Sequence, residues 1–125
     1  MTKPDSALSD LRLLVVEDEF LIAEHIEQQL ESFGCEVVGP VATIEEALAA
    51  IGEGDLQGVL LDTNLRGDSS APVADALLRA NIPFVVVTGY GGRALEDEVL
   101  DRAPRLIKPF MPTDLEASLI AAFVR

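Results

Sequence analysis

Three short apolar runs constrain the possible folds of this chain more than any other feature. They occupy residues 11–16 (LRLLVV), 58–61 (GVLL) and 84–87 (FVVV), and Arg12 is the only charged residue in them. A strand of this kind is buried on both of its faces, which is typical of a parallel sheet with helices packed on each side. The runs therefore predict a parallel α/β sheet.

Between these runs, apolar residues recur at helical spacing, so strand and helix alternate five times along the chain. Capping boxes at 43–46 (TIEE) and 113–116 (TDLE) mark the starts of two helices. This alternation predicts one parallel sheet with right-handed crossovers and helices on both faces. The residues predicted to form the apolar face of the last helix are Leu115, Leu119, Ile120 and Phe123. The predicted strands are 11–16, 35–38 (closed by Gly39 and Pro40), 58–62, 84–87 and 105–107, and the predicted helices are 20–33, 43–52, 71–80, 93–102 and 113–123.

The predicted strands end at chemically reactive side chains. The first stops at Glu17 and Asp18, the central one at Asp62, the fourth at Thr88 and the last at Lys108. In an open parallel sheet the carboxyl ends of the strands lie at one edge, which is where such sheets bind their ligands. The sequence therefore predicts a pocket that contains three carboxylates, a hydroxyl and an ammonium group.

Three carboxylates in one pocket need a compensating cation. Each pair repels by about 4 kcal/mol at 4 Å and an effective dielectric constant of 20, and Lys108 alone does not offset all three. Mg²⁺ fits such a site, because it takes one or two carboxylates, keeps several waters and shares its remaining positions with phosphate. Phosphoryl transfer suits this arrangement, with Asp62 as the nucleophile and with Lys108 and Thr88 contacting the phosphoryl group. Each of these residues taken singly has an ordinary structural explanation as a turn, cap or loop residue.

Composition narrows the classes of function and partner. The formal net charge of −13 opposes direct binding to nucleic acid and to anionic membrane surfaces. No apolar run approaches the roughly 20 residues of a membrane span, and the polar N-terminus does not resemble a signal peptide, so a cytoplasmic protein is expected. The only cysteine, Cys35, is expected to be a small buried residue, and the only histidine, His25, a surface residue. We expect a single domain over residues 1–125, with a structured core at about 10–124 and no attached output module.

Four segments of the chain resemble the receiver domains of two-component response regulators. They are VVEDE at 15–19, VLLDTNLRG at 59–67, VVVTGYG at 85–91 and LIKPF at 106–110, and their order and spacing are also similar to those of receivers. The resemblance covers nearly the whole chain. It implies a flavodoxin-like receiver fold, with a five-stranded parallel sheet of order 2-1-3-4-5 and five helices on its two faces.

The resemblance also implies a role for each matching residue. Asp62 would accept a phosphoryl group from a sensor histidine kinase or a histidine phosphotransfer protein. Asp18 and Asp62 would bind Mg²⁺ (or Mn²⁺) directly, Glu17 would bind it through a water molecule, and Asn64 would contribute its backbone carbonyl.

The phosphoryl group itself would be contacted by Lys108, and Thr88 would move toward it as a switch. The peptide bond between Lys108 and Pro109 would be cis. In many receivers an aromatic residue stands three positions before the lysine, but here that residue is Arg105.

A subgroup of receivers, common among single-domain regulators, carries a Phe-Ala-Thr-Gly-x-Tyr motif, which this chain matches in part. Val86 and Val87 stand where the motif has Phe and Ala, whereas Gly89 and Tyr90 match it. We predict that Tyr90 and the adjacent glycines modulate the switch in place of an aromatic residue at Arg105.

Two alternatives remain beside a phosphorylated receiver that is not a dedicated enzyme. A haloacid-dehalogenase-like phosphatase also uses a strand-end aspartate, but it needs a second aspartate at the position of Asn64. A receiver-like docking module would bind partners without being phosphorylated. The surface from Arg93 to Phe123 is the predicted contact for a downstream protein partner.

Overall fold

The computed structural model describes residues 7–89 and 94–124, and these contain seven strands and five helices. Among the described residues, no helix combines the length and the apolar character that a membrane crossing requires. The strands are β1 (Arg12–Val16), β2 (Glu36–Val41), β3 (Gly58–Asp62), β4 (Asn64–Leu65), β5 (Asp68–Ser69), β6 (Phe84–Thr88) and β7 (Arg105–Ile107), and the helices are α1 (Phe20–Ser32), α2 (Ile44–Glu53), α3 (Ala71–Arg79), α4 (Glu98–Asp101) and α5 (Pro112–Phe123).

Five of the strands form one parallel sheet in the order β2-β1-β3-β6-β7. Since β6 and β7 are the fourth and fifth of these strands along the chain, the predicted order 2-1-3-4-5 and the flavodoxin-like fold are confirmed. The short strands β4 and β5 pair with each other in an antiparallel hairpin outside this sheet. The active edge of the sheet is its carboxyl end, where β1, β3 and β6 stop.

The core has two layers, because successive residues of the central strands point to opposite faces of the sheet. One cluster of buried residues combines Val15, Leu60 and Val85 with apolar side chains of α1 and α5. The other combines Leu14 and Leu61 with apolar side chains of α2, α3 and α4. Helices therefore cover both faces, as predicted from the continuous apolar runs.

The second strand is longer than predicted. Gly39 and Pro40 were expected to close it, but β2 continues to Val41, and the Glu17 N–H donates to the Val41 carbonyl at 2.9 Å. A proline is tolerated here because β2 lies at the edge of the sheet and, within the described part of the chain, pairs with β1 alone. The pairing shifts register between Leu14 and Val16, and the Gly39–Pro40 peptide is cis.

The fourth helix is much shorter than predicted. The sequence indicated a helix over residues 93–102, whereas α4 covers only Glu98–Asp101. Arg93 lies outside the described residues, and residues 94–97 are not helical. The Asp101 carboxylate accepts a hydrogen bond from the Leu95 N–H at 2.8 Å. A side chain thus holds the backbone before α4 in a non-helical path.

The last helix begins at Pro112 with Met111 as its N-cap, two residues before the predicted Thr113 cap. Its first turn is closed by Asp114, whose carboxylate accepts a hydrogen bond from the Met111 N–H at 2.9 Å. The predicted apolar face is correct except for Ile120, which is 42% exposed. By contrast, the Thr43 cap of α2 is confirmed, since the Thr43 side chain accepts from the Glu46 N–H at 3.1 Å.

Candidate functional site

The reactive side chains predicted from the strand ends lie at the carboxyl edge of the sheet. Carboxylate oxygens of Glu17, Asp18 and Asp62 all lie within 4.8 Å of one another. The Lys108 Nζ lies 3.0 Å from Glu17 Oε1 and 3.4 Å from Asp62 Oδ2. Thr88, the last residue of β6, is buried, and its carbonyl accepts a hydrogen bond from the Lys108 N–H at 2.8 Å. Four parallel strands thus deliver three acids, a hydroxyl and an ammonium group to one edge.

The acids outnumber the cation that faces them, and two of the acids are nearly buried, with exposed fractions of 3% for Glu17 and 8% for Asp62. Burial, followed by the neighbouring Asp62, raises the pKa of Glu17 from 4.5 to about 7, although the Glu19 N–H and Lys108 act in the opposite direction. Burial lowers the pKa of Lys108, but the carboxylates of Asp62 and Glu17 outweigh it, so that the pKa of Lys108 is raised. This electrostatic balance favours the binding of a further cation.

A hairpin that the sequence analysis did not predict contacts the acid cluster. Its strands β4 and β5 are joined by Arg66 and Gly67, whose φ angles of 52° and 89° are those of a type I′ turn. The Arg66 N–H donates a hydrogen bond to Asp18 Oδ2 at 2.8 Å, and the Gly67 N–H donates to Asn64 Oδ1 at 2.9 Å. The glycine at the second turn position was the available signal, but arginine is not a favoured residue at the first.

The backbone of Asn64 is oriented by the same hairpin. Its N–H donates to Asp62 Oδ1 at 3.2 Å. The Ser70 N–H donates to the Thr63 carbonyl at 3.0 Å, so residues 63 and 70, which flank the two strands, form a hydrogen-bonded pair. Because bonded and non-bonded pairs alternate in an antiparallel ladder, the Asn64 carbonyl is turned away from β5. That orientation is compatible with the ligand role that the resemblance implies for it.

The residues predicted to modulate the switch do not lie together in the acid cluster, as far as the structure describes them. Tyr90 lies outside the described residues, and Gly89 is exposed at the end of β6. Arg105, which stands where many receivers have an aromatic residue, is tied to α4, since its Nη2 pairs with Asp101 Oδ1 at 3.0 Å. The Lys108–Pro109 peptide is cis.

Cys35 was expected to be buried and His25 to lie on the surface, and the structure agrees with both expectations. Cys35 is buried, with an exposed fraction of 7%. His25 is exposed and shares a hydrogen bond of 2.9 Å with the Gln29 side chain on α1. Neither side chain belongs to the acid cluster.

The sequence analysis also missed an exposed apolar surface beside the pocket. Phe20 and Leu21, at the start of α1, are each 75% exposed. Leu21 borders a groove of about 530 Å³ that also contacts Lys108, Pro109 and Phe110. In the sequence these two residues resembled ordinary members of an amphipathic helix, since periodicity does not distinguish a buried apolar residue from an exposed one.

Comparison with known proteins identifies relatives along nearly the whole chain. The sequence profile of the response regulator receiver domain matches residues 13–120. The phyllosphere-induced regulator PhyR of Methylorubrum extorquens is 34% identical over 113 residues, which are 88% of this chain and 42% of PhyR. The transcriptional regulatory protein PdtaR of Mycobacterium tuberculosis is 31% identical over 91% of this chain and 57% of PdtaR. The chain therefore spans about half the length of these curated relatives.

Solved structures of similar proteins share the fold. SdrG of Sphingomonas melonis Fr1 is 41% identical, with a TM-score of 0.78 over 93% of this chain and 97% of SdrG. SdrG from Pseudomonas melonis Fr1, described as the BeF3-activated conformation, is 38% identical, with a TM-score of 0.77 over 90% of this chain and 96% of SdrG. The similarity to SdrG thus extends over nearly the full length of both proteins.

Proposed function

Because this chain belongs to the response regulator receiver domain family, we propose that Asp62 accepts a phosphoryl group from a phosphohistidine of a sensor kinase or a histidine phosphotransfer protein. A carboxylate oxygen of Asp62 attacks the phosphorus atom, an O–P bond forms and the N–P bond breaks. The imidazole leaves with the electron pair of that bond and then takes up a proton. The observation that carries this proposal is the position of Asp62, whose carboxylate lies within 4.8 Å of those of two further acids and 3.4 Å from Lys108 Nζ.

The donor set of the pocket fits a hard divalent cation such as Mg²⁺ or Mn²⁺, since three carboxylates lie within reach of one another. Asp18 and Asp62 would hold the ion directly, Glu17 would hold it through a water molecule, and Asn64 would offer its backbone carbonyl. When bound, the ion supplies positive charge that offsets the acids and the incoming phosphoryl oxygens.

Lys108 would contribute the second positive charge to the phosphorylated state. Its Nζ already bridges Glu17 and Asp62, at 3.0 Å and 3.4 Å, so a short movement would bring it to a phosphoryl oxygen on Asp62. Thr88 would donate a hydrogen bond from the neighbouring strand end. The existence of a BeF3-activated conformation of SdrG supports the phosphorylation itself, because trifluoroberyllate is an isostere of a phosphoryl group.

Two surfaces are proposed for partners. The exposed Phe20 and Leu21, beside the groove next to Lys108, would receive the phosphoryl donor, since an apolar patch beside a reactive carboxylate places a docked partner within reach of it. The surface from Arg93 to Phe123 would bind a downstream protein, as proposed from the sequence.

The output would be a change in partner binding, or relay of the phosphoryl group, in a cytoplasmic pathway, rather than turnover of a small substrate.

The proposal is tested by incubating the protein with acetyl phosphate, with and without Mg²⁺, and measuring its intact mass. One phosphoryl adduct is expected, and only with Mg²⁺. Reduction of the acyl phosphate with borohydride releases phosphate and converts the modified aspartate to homoserine, which peptide mass spectrometry should locate at position 62. Homoserine at another aspartate would refute Asp62 as the acceptor. No adduct with any phosphodonor would instead support a docking module that works without phosphorylation.

Mg²⁺ binding is expected to weaken by about tenfold when the pH falls from 8 to 6. The pKa of Glu17 is raised to about 7, so Glu17 is mostly ionised at pH 8 and mostly protonated at pH 6, and its proton must leave before the ion can bind fully. Titration with Mg²⁺, monitored by amide chemical shifts, measures the affinity at each pH. The Glu17→Gln variant should bind more weakly and show little pH dependence, whereas a wild-type affinity that stays constant over this range would contradict the expectation.

A further inference from the structure

The β4–β5 hairpin contacts two parts of the molecule at once. At its turn, the Arg66 N–H donates to Asp18 Oδ2 at 2.8 Å. At its other end, Ser69 Oγ donates to Asp97 Oδ2 at 2.5 Å. Asp97 belongs to residues 94–97, the non-helical segment that precedes α4. One short element therefore lies between an acid of the pocket and this segment.

The contact with Asp97 spans an otherwise open region. A cavity of about 390 Å³ separates the hairpin from the segment, with Asn64, Ser69, Leu95 and Asp97 among the residues that line it. The Ser69 hydroxyl also accepts a hydrogen bond from the Ala71 N–H at 3.1 Å, in the first turn of α3. This one side chain thus holds the end of the hairpin against both α3 and the segment 94–97.

The segment is connected in turn to α4 and β7. The Leu95 N–H donates to Asp101 Oδ1 at 2.8 Å, and the same oxygen pairs with Arg105 Nη2 at 3.0 Å. Arg105 is the residue that stands in place of the usual aromatic side chain. A displacement of residues 94–97 would therefore act directly on the ion pair between α4 and β7.

Building on the proposed function, we propose that the β4–β5 hairpin is a positioning element that couples ion binding at Asp18 to the segment 94–97 through the Ser69–Asp97 hydrogen bond. Asp18 accepts a hydrogen bond from a backbone N–H whose position depends on the hairpin, so an anchored hairpin presents the Asp18 carboxylate in one orientation. An ion held by that carboxylate restrains the hairpin in return. Coupling of this kind is reciprocal, so breaking the far contact must change the affinity of the near site.

The test measures Mg²⁺ affinity by amide chemical shifts and hydrogen exchange of residues 95–101, neither of which depends on phosphorylation. Ser69→Ala is expected to weaken Mg²⁺ binding by about fivefold, a coupling at the low end of the usual range. Ser69→Thr, which keeps the hydroxyl, should restore the affinity. Mg²⁺ should slow exchange of residues 95–101 in the wild-type protein and in Ser69→Thr, but not in Ser69→Ala.

A substitution at Glu96, the acid next to Asp97, serves as the control for the loss of a negative charge from the segment 94–97. Asp97→Ala and Glu96→Ala remove the same charge from the same segment, and Glu96 is exposed. Asp97→Ala should weaken Mg²⁺ binding more than Glu96→Ala does, and adding Ser69→Ala to Asp97→Ala should have no further effect. Equal losses in the two acid variants, or wild-type affinity in Ser69→Ala, would refute the coupling while leaving the proposed function intact. A wild-type protein that binds no Mg²⁺ at all would refute both.

Discussion

The Asp62→Asn variant is expected to form no phosphoryl adduct under conditions in which the wild-type protein forms one. The carboxamide keeps the size of the side chain but lacks the anionic oxygen that attacks phosphorus. It also removes one of the three acids within 4.8 Å of one another, and with it a ligand for the divalent ion. Intact mass after incubation with acetyl phosphate and Mg²⁺ measures the effect, which should be a complete loss within detection.

Asp55→Asn is the matched control for this substitution. Asp55 is an exposed aspartate just before β3, at the end of the strand opposite the pocket. Its φ of 62° lies in the left-handed region, which asparagine adopts readily, so the fold should not change. This variant should be phosphorylated like the wild-type protein. If Asp62→Asn retained the adduct, Asp62 would not be the acceptor. If both variants lost it, the loss would not be specific to Asp62 and would not count as support for the assignment.

The Asp62→Asn variant should also have a lower pKa at Glu17 than the wild-type protein. After burial, Asp62 is the largest cause of the rise to about 7, through a hydrogen bond between the two side chains and through charge repulsion. Asparagine removes the repulsion, and its amide N–H can donate to the ionised carboxylate. The carboxyl carbon resonance of Glu17, followed through a pH titration, reports the change. An unaltered titration would show that burial alone sets this pKa.

The sheet and the acid cluster were predictable because both follow from continuous runs along the chain. Residues 58–62 are apolar up to Asp62, so a strand buried on both faces had to end there. The parallel arrangement then placed Asp62 beside Glu17 and Asp18 without any knowledge of side-chain contacts. The alternation of strands and helices and the positions where strands end follow from the pattern of apolar residues along the chain. The right-handed crossovers then follow from the general rule for parallel strands.

The features that were missed depend on contacts between segments that are distant in sequence. The β4–β5 hairpin is held by Asp18, which lies in another loop, and the path before α4 is held by Asp101 and Ser69. The continuation of β2 through Pro40 depends on its place at the edge of the sheet. Propensity and periodicity describe neighbours along the chain, so they do not report such contacts.

Gly58 is expected to tolerate substitution poorly. It is the first residue of β3, and a Cβ built on it would lie 2.5 Å from Cδ1 and Cε1 of the Phe123 ring, which is itself buried. Gly58→Ala should therefore lower the free energy of unfolding by about 1–3 kcal/mol, the range found when a packed core is overfilled, and Gly58→Val by more. Urea unfolding followed by circular dichroism measures both.

Two further variants test whether the lower free energy of unfolding of Gly58→Ala comes from the clash with Phe123 or from replacing any glycine by alanine. Gly52 lies inside α2, and a Cβ built there meets nothing within 4 Å, so Gly52→Ala should stabilise the protein by about 0.5–1 kcal/mol. Phe123→Leu should reduce the cost of Gly58→Ala, because the shorter side chain vacates the space that the new methyl group enters. If Gly58→Ala cost the same in both backgrounds, the clash with Phe123 would not be its cause. If the variant with both Gly58→Ala and Phe123→Leu folds but forms no phosphoryl adduct, the structural change at Gly58 must extend to Asp62 at the opposite end of β3.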